Sequence, residues 1–307
     1  MRNNFIQYEL WKDCKNGCKF CFNRGQPQVN KIISLKNTLQ RMDDPELKDY
    51  NEIGFIGGEF FDDQLEDIEV KNLFYSLFAK CKTFIDDKKI EKIYFTTSLI
   101  FDMDKYLIPF LEYLNSLNLL SNCLLCTSYD LKYRFHTKEK EELWKSNMLK
   151  LHELFPNLKL HTEIIATGFF MQAVLDDTFN ISEFCDKFHC GIDYIEPGSG
   201  FYFHDKEECA KEMPDFFPTK DQVIRFVKKT MIETKQINMD TFVSSQVRSD
   251  KVYIYYNGEC FPVSNRRKSN CLLDIKNMKE KYEIGTVDSS DTIRKIVNEI
   301  GELYGGL

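Results

Sequence analysis

The sequence predicts an α/β fold built from parallel strands and the helices that connect them. Six short apolar runs alternate with longer runs of helical periodicity over the first 200 residues. Such alternation is typical of right-handed βαβ units, in which each helix links two parallel strands. After Pro197-Gly198-Ser199-Gly200 the alternation stops and a hairpin pattern follows. The chain is therefore predicted to contain a repetitive α/β part and a smaller α+β part.

The elements of the first part are predicted in chain order from their hydrophobic periodicity. The strands are expected at residues 4–11, 51–57, 92–97, 123–128, 158–166 and 191–195. The helices between them are expected at residues 31–41, 65–82, 103–117, 138–154 and 170–188. We therefore place residues 1–200 in one predicted domain.

The second part, predicted to span residues 201–307, has a less regular pattern. A polar, aromatic loop at 198–218 is followed by a predicted helix at 221–234. A hairpin is predicted around Asn257-Gly258, because Asn-Gly favours the type I′ turn of two-residue hairpins. Its strands are expected at 252–256 and at Cys260-Phe261-Pro262, and the chain is expected to close with a strand at 282–287 and a helix at 292–303.

Composition and charge exclude several classes of protein. The 307 residues are 43% hydrophobic and 29% charged, which is typical of a globular chain with a sizeable core. No apolar stretch reaches the roughly 18 residues of a membrane span, and the first residues lack the apolar region of a signal peptide. With 41 Lys and Arg against 48 Asp and Glu, the net charge of −7 argues against duplex nucleic acid as a partner. We therefore expect a cytoplasmic protein.

The cysteines point to metal binding or catalysis. Eleven is an odd number, and a chain of this length does not need disulfides to fold, so the thiols are expected to be reduced. Cys123 and Cys126 lie on a predicted strand, where residues i and i+3 face opposite sides. We therefore expect these two to be buried core cysteines and not a metal pair.

Three cysteines follow the first predicted strand at the spacing Cys14-x3-Cys18-x2-Cys21. Thiolates on one short loop can bind one face of a cubane iron–sulfur cluster and leave its fourth iron open. The alternative is a structural zinc site, which normally needs a fourth nearby Cys or His. The next cysteine is Cys81 and the first histidine is His136, both distant in sequence. The spacing therefore favours the cluster.

A second motif, Gly57-Gly58-Glu59, follows the second predicted strand. Small residues at the carboxyl end of a parallel strand let a ligand approach the backbone, and a carboxylate can accept hydrogen bonds from an ammonium group. Together with the cysteine loop, this motif resembles the radical S-adenosylmethionine (radical SAM) superfamily, which also has an aromatic residue at the position of Phe20. The resemblance covers roughly residues 4–200.

The resemblance implies a partial (β/α)6 radical SAM barrel with a small α+β C-terminal extension. It also implies an enzyme that binds a [4Fe-4S] cluster on Cys14, Cys18 and Cys21, and S-adenosyl-L-methionine (SAM). Enzymes of this family reductively cleave SAM to a 5′-deoxyadenosyl radical, which abstracts a hydrogen atom from the substrate. An electron donor such as flavodoxin or ferredoxin is then an expected partner. No catalytic side chain is assigned by the resemblance.

Further SAM-binding positions are implied at the strand ends of the barrel. Glu59 would hold the SAM ammonium group, and Arg134 could pair with the methionyl carboxylate. Ser128 and Asp130 could meet the ribose hydroxyls, whereas the alternative for Asp130 is capping of the next helix. The remaining positions implied to bind cofactor are Phe20, Gly57, Gly58, Thr97, Ser98, Thr167 and Ile195.

The predicted hairpin resembles the shortened twitch or SPASM extension of peptide-modifying radical SAM enzymes, which holds auxiliary iron–sulfur clusters. Cys260 and Cys271 could ligate such a cluster, and a cluster-free cap is the alternative. The leading hypothesis is therefore epimerisation or crosslinking of a ribosomal peptide or protein. Radical modification of a nucleotide or other small molecule is an alternative, because residues 18–23 are similar to the cysteine loop of viperin-type nucleotide dehydratases. A zinc-binding module without catalysis is the alternative outside the enzymes.

Overall fold

A computed structural model describes residues 5–21, 28–45, 47, 50–87, 89–195, 211–234, 252–254 and 260–262. Its strands are β1 (Phe5–Glu9), β2 (Glu52–Ile56), β3 (Lys92–Thr96), β4 (Cys123–Tyr129), β5 (Lys159–Ile165), β6 (Gly191–Ile195), β7 (Val252–Ile254) and β8 (Cys260–Pro262). Its helices are α1 (Lys31–Arg41), α2 (Ile68–Asp86), α3 (Met103–Ser116), α4 (Lys138–Leu154), α5 (Gly168–Leu175), α6 (Ile181–Phe188) and α7 (Lys220–Val227). Short 3₁₀ turns precede α2 and β4, at Asp63–Glu66 and Leu120–Asn122, and a π-helical turn at Lys228–Glu233 follows α7.

The strands form one sheet in the order β6-β5-β4-β3-β2-β1-β7-β8. Strands β1 to β6 are all parallel and each pairs with the next strand along the chain. Helical crossovers between sequential parallel neighbours are the repeat from which α/β barrels are built. The predicted α/β class with a six-stranded parallel sheet is confirmed, and it is consistent with a partial barrel.

The helix predicted at 170–188 is two helices in the structure. Thr167 caps α5 by accepting a hydrogen bond from the N–H of Phe170. A second cap, Asn180, accepts from the N–H of Glu183 and starts α6. Ser, Thr, Asp and Asn are preferred at such positions because their short polar side chains satisfy N–H groups that the helix leaves open. Hydrophobic periodicity alone does not reveal the start of a second helix, which the cap at Asn180 marks.

The two faces of the parallel sheet differ in chemistry. Alternate residues of β1, Ile6 and Tyr8, point into the main apolar core, which the helices cover. The opposite face carries buried polar residues, including Gln7 and Glu9, which are 5% and 1% exposed. On β3 of that face, the Tyr94 hydroxyl donates to a Glu163 carboxylate oxygen 3.0 Å away. This face of the sheet therefore carries hydrogen-bonding groups.

The main core holds the helices against the sheet through aromatic packing. Phe74 and Phe78 of α2 and Phe110 of α3 are fully buried, with ring centroids 4.7 to 5.4 Å apart. Fully burying such a side chain is worth about 1.5–3 kcal/mol, and tilted and edge-on ring pairs add to this. Cys123 and Cys126 are also buried, and Cys123 lies in this core. The expectation that they are buried strand cysteines is confirmed.

The described parts of the C-terminal region pack on the barrel part. Phe226 of α7 contacts Phe170 of α5, with ring centroids 5.9 Å apart. Strand β7 pairs in parallel with the free edge of β1, and β8 pairs antiparallel with β7. The predicted hairpin therefore extends the main sheet. The domain boundary predicted near residue 200, the strand at 282–287, the helix at 292–303 and Cys271 lie outside the described residues.

Among the described helices, none is both long enough and apolar enough to cross a membrane.

Candidate active site

The Gly-Gly-Glu segment lies directly against the segment that leads into the cysteine loop. The N–H of Gly58 donates to the Trp11 carbonyl at 2.7 Å, and the N–H of Glu59 donates to the Asp13 carbonyl at 3.0 Å. A Cβ atom on Gly57, whose φ is +147°, would stand 2.1 Å from the Trp11 oxygen, and one on Gly58 would stand 1.9 Å from the Asp13 oxygen. The two motifs can pair only because both positions lack a side chain.

These glycines permit a close approach of the chain's own backbone, at the carbonyls of Trp11 and Asp13. We expected them to admit a ligand, and contact of Gly57 and Gly58 with a cofactor stays a prediction. The contact that the structure adds is one between motifs, which fixes the start of the cysteine loop relative to the end of β2. The indole N–H of Trp11 reinforces it by donating to the Glu59 carbonyl at 2.9 Å.

The Glu59 carboxylate is 3% exposed and lies between the ends of β2 and β3. Its Oε1 accepts hydrogen bonds from the N–H groups of Phe60 and Phe61 at 2.9 and 3.0 Å, and from the Thr97 hydroxyl at 2.9 Å. Its Oε2 accepts from the N–H of Ser98 at 2.6 Å. Burial raises the pKa of Glu59, and hydrogen bonds from the side chain and N–H of Ser98, the N–H of Phe61 and the Thr97 hydroxyl oppose the shift.

Arg134 lies on the other side of Ser98 and is 5% exposed. Its guanidinium donates to the Ser98 carbonyl at 3.2 Å and to the Ser128 hydroxyl. Its Nε is buried without a hydrogen-bond partner among the described residues. A buried donor that lacks a partner costs free energy unless a ligand supplies one. The structure therefore brings together Glu59, Ser98, Ser128 and Arg134, and Ser98 lies between the negative Glu59 and the positive Arg134.

The other predicted cofactor positions have local roles in the structure. Oδ1 of Asp130, which is 2% exposed, accepts hydrogen bonds from the N–H groups of Lys132 and Tyr133. It therefore shapes the turn that presents Arg134, and the cap of α4 is Thr137. Thr167 is the buried cap of α5, and Ile195 ends β6. Contacts of these three residues with a cofactor stay predictions.

The cysteine loop is anchored on the turn that follows β4. Gly17 has a left-handed backbone (φ +67°), and its carbonyl is 2.7 Å from Nε2 of His136. The N–H of Lys19 donates to the Tyr133 carbonyl at 3.1 Å, and the N–H of Cys21 donates to the Cys18 carbonyl at 3.1 Å. The loop that carries the thiols is thus held by the same turn that carries Arg134.

The three cysteines of this loop are free thiols, and they share one electrostatic environment with Glu59. Although the Cys14 side chain is exposed, desolvation by the surrounding protein raises its pKa to about 12, the charges of Glu59 and of the other two cysteines contribute in the same direction, and a hydrogen bond from Asn16 opposes the shift. Thiolate ligands need a nearby cation to offset this cost, which an iron–sulfur cluster supplies. The donor set therefore fits such a cluster.

The thiols do not converge on a single point. Among the described residues, no three His, Cys, Asp or Glu side chains are grouped so that they could hold one metal ion. In a cubane each protein thiolate binds a different iron, so convergence on one point is not required.

An apolar cluster covers one side of the loop. It contains Cys18 and Phe20 of the loop, Tyr133, Ile165 at the end of β5, and Met213 and Phe216 from the segment before α7, with Cys21 and Phe217 packed against it. Phe20, predicted to contact cofactor, is 7% exposed in this cluster, and its contact with SAM stays a prediction.

No known protein family and no curated protein matches the sequence. Among solved structures, SuiB from Streptococcus suis superposes with a TM-score of 0.50 at 13% identity, over 96% of this chain and 68% of SuiB. The fold of this chain is therefore similar to that of SuiB. A dihydroorotase from Campylobacter jejuni aligns over 99% of this chain and 83% of its own at 12% identity, with a TM-score of 0.27, from which nothing follows.

Sequence reasoning missed the residues that support the candidate site. Trp11, Tyr133 and His136 hold the cysteine loop, and Met213 and Phe216 pack on it. Trp11 is the last residue of a predicted strand, where a core role is the ordinary expectation for an aromatic residue. Met213 and Phe216 lie in a segment that sequence patterns predicted as a loop. Of the cysteines proposed for an auxiliary cluster, Cys260 begins β8, and Cys271 lies outside the described residues.

Proposed function

We propose that this protein is a radical SAM enzyme that binds a [4Fe-4S] cluster on Cys14, Cys18 and Cys21, and SAM beside it. The observation that carries the proposal is the pairing of the two motifs, in which Gly58 and Glu59 bond to Trp11 and Asp13 immediately before the first cysteine. It is supported by the fold likeness to SuiB, which is a radical SAM enzyme. When bound, the cluster and SAM supply reductive cleavage of SAM and hydrogen-atom abstraction from the substrate.

The side chains of this site suit the amino-acid end of SAM. The Glu59 carboxylate would accept a hydrogen bond from the ammonium group. Arg134 would pair with the carboxylate and give its buried Nε a partner. Ser98 sets the spacing between the two charges, because it donates to Glu59 through its N–H and accepts from Arg134 through its carbonyl. These residues bind and orient, and they exclude water from the charges they hold.

For the substrate, we propose a ribosomal peptide or protein, modified by epimerisation or crosslinking. SuiB modifies a peptide, and its likeness to this chain extends over 96% of the sequence, including the region after β6. The hairpin of β7 and β8 widens the sheet beside β1, whose Gln7 and Glu9 lie on the polar face. The edge of such a widened sheet is a place where an extended peptide could bind as a further strand.

The cluster proposal is tested by anaerobic purification and reconstitution of the wild-type chain and of a variant with Cys14, Cys18 and Cys21 changed to Ala. We expect brown wild-type protein with about four irons per chain and reductive SAM cleavage, and loss of both in the variant. Cys81→Ala is the matched control, because Cys81 is a fully buried free cysteine of the main core. A colourless wild-type protein that contains zinc would refute the proposal and favour a zinc module.

The substrate proposal is tested by following 5′-deoxyadenosine formation with the reconstituted enzyme. Peptides encoded beside the gene are expected to accelerate it and to leave the reaction with an altered mass or stereochemistry. Nucleotides serve as the comparison set. Acceleration by a nucleotide and by none of the peptides would overturn the peptide proposal and leave the cluster proposal intact.

A further inference from the structure

The segment before α7 places two side chains directly on the cysteine loop. Met213 and Phe216 are both 0% exposed, whereas Pro214 and Asp215 between them are exposed. The two buried residues belong to the apolar cluster that contains Cys18 and Phe20. The N–H of Phe216 donates to the Met213 carbonyl at 3.1 Å and closes a turn in which Asp215 has a left-handed backbone (φ +63°), so that both buried side chains pack in the same cluster.

Hydrogen bonds and an ion pair fix this segment against two other elements. The Tyr133 hydroxyl donates to the Pro214 carbonyl, and Lys132 pairs with Asp215 at 3.3 Å. At the start of α5, the N–H of Gly168 donates to the Phe216 carbonyl at 3.2 Å, and the N–H of Phe169 donates to the Asp215 carbonyl at 3.0 Å.

Gly168 is required for this docking. A Cβ atom there would stand 2.9 Å from the Asp215 carbonyl oxygen and 3.1 Å from the Cα of Pro218. The segment therefore rests on backbone contacts that only a glycine at this position allows, in addition to its side-chain packing. Tyr133, through its carbonyl and its hydroxyl, links the segment to the cysteine loop.

We propose that residues 211–218, which we name the cover segment, shield the Cys18 side of the cysteine loop from water and oxidants. Met213 and Phe216 are positioning residues that act through Cys18 and Phe20. The part of this proposal that concerns the cluster rests on the proposed function. In a low-dielectric surrounding, the additional negative charge of a reduced cluster is disfavoured, so the cover segment would lower the cluster's reduction potential.

The shielding of the loop is tested on the full chain without cluster. Under anaerobic, reducing conditions, the protein is treated with N-ethylmaleimide, and the labelling rate of each cysteine is read by peptide mass spectrometry. Phe216→Ala should raise the rate at Cys18 at least about tenfold, because the cavity left by a buried ring weakens local docking. Cys81, which is fully buried in the main core, is the internal reference for global unfolding and should keep its rate.

Phe226→Ala is the matched control. It removes the same ring from a fully buried position of α7 that packs on α5 and lies outside the apolar cluster of the loop. It should leave the ratio of Cys18 to Cys81 labelling unchanged, and Phe216→Leu should return that ratio close to the wild-type value. If Phe216→Ala unfolds the chain, Tyr133→Phe keeps the ring and removes the hydroxyl with its hydrogen bonds to the Pro214 carbonyl and to Lys132, and it should raise the ratio by a smaller factor.

An unchanged ratio of Cys18 to Cys81 labelling rates in both Phe216→Ala and Tyr133→Phe would overturn the proposal that the cover segment shields the loop. In reconstituted protein, Phe216→Ala should also raise the midpoint potential of the cluster and speed its bleaching in air, whereas Phe226→Ala should change neither. An unchanged potential would overturn the cluster part. Failure of the wild-type protein to bind any cluster would instead refute the proposed function, and the labelling result would stand by itself.

Discussion

Glu59→Gln separates the hydrogen-bonding role that the structure gives to Glu59 from its proposed role in binding SAM. The carboxylate accepts four hydrogen bonds, three at Oε1 and one at Oε2. A glutamine amide offers one acceptor oxygen, so in its best orientation it keeps the three bonds and turns its NH₂ group toward the N–H of Ser98. That orientation loses one charge-assisted bond and leaves a buried donor facing another donor, which costs about 2–3 kcal/mol.

The removal of a buried charge acts in the opposite direction. Burial raises the pKa of Glu59, which means that the folded state disfavours its charged form, and glutamine does not carry this penalty. We expect the cost of placing the two donors against each other to exceed the gain from removing the charge. Ser98 is fixed by its own hydrogen bonds to Arg134 and Thr127 and cannot turn away. The expected net loss in free energy of unfolding is about 2 kcal/mol.

Anaerobic urea unfolding of the chain without cluster measures this loss, with tryptophan fluorescence as the signal. Glu163→Gln is the matched control, because it keeps an acceptor for the Tyr94 hydroxyl, and it should cost less than about 1 kcal/mol. A Glu59→Gln variant as stable as the wild type would refute the argument that the four donors outweigh the buried charge. Titration of SAM into the reconstituted variant then tests the binding role, and unchanged affinity would count against it.

Three further predictions concern the supports of the site. Gly58→Ala should lower the free energy of unfolding by about 3 kcal/mol or more, because its Cβ would overlap the Asp13 carbonyl and break two backbone bonds; a loss below about 1 kcal/mol by urea unfolding contradicts this. Asp130→Asn should keep SAM affinity and stability, whereas Asp130→Ala should lower the free energy of unfolding by about 1–2 kcal/mol. The reason is that only the amide retains an acceptor for the N–H groups of Lys132 and Tyr133, and equal effects of the two changes would refute a turn-forming role. Glu141 is partly desolvated, yet hydrogen bonds from Lys145 and Tyr129 lower its pKa. Its charged form therefore stabilises the fold above its unfolded pKa of about 4.3, and this stabilisation is lost as the pH falls through the lower pKa of the folded state. The difference in unfolding free energy between wild type and Glu141→Gln should therefore shrink below about pH 4, and a constant difference would contradict this.

The order of the elements could be predicted from the sequence because each buried strand and helix carries its own period. Helix 31–41 and helix 138–154 were predicted with the observed bounds, and their caps, Asn30 and Thr137, are of the residue types that begin helices. The strand order follows from chirality, since sequential parallel strands with helical crossovers lie side by side. Local pattern and topology are enough for this part of the fold.

The supports of the site could not be predicted, because they come from contacts between segments distant in sequence. His136 lies 119 residues from Gly17, whose carbonyl it meets, and the Tyr133 hydroxyl reaches a carbonyl 81 residues further along the chain. A histidine or tyrosine in a loop carries no periodic signal that names its partner. The placement of β7 beside β1 is likewise a long-range pairing. A hairpin pattern predicts that β7 pairs with β8, and it does not say which strand lies on the other side of β7.

The glycines of the second motif show what sequence can and cannot determine about close approach. A glycine at the carboxyl end of a parallel strand indicates that some group comes nearer than a Cβ would permit, and it does not say which group. At Gly57 and Gly58 that group is the backbone between β1 and Cys14, so the requirement for glycine is met within the chain before any cofactor binds. The carboxylate that follows is then fixed by its own donors, among them the N–H groups of Phe60, Phe61 and Ser98. The motif therefore sets the start of the cysteine loop, and a ligand of Glu59 would meet a carboxylate that is already oriented.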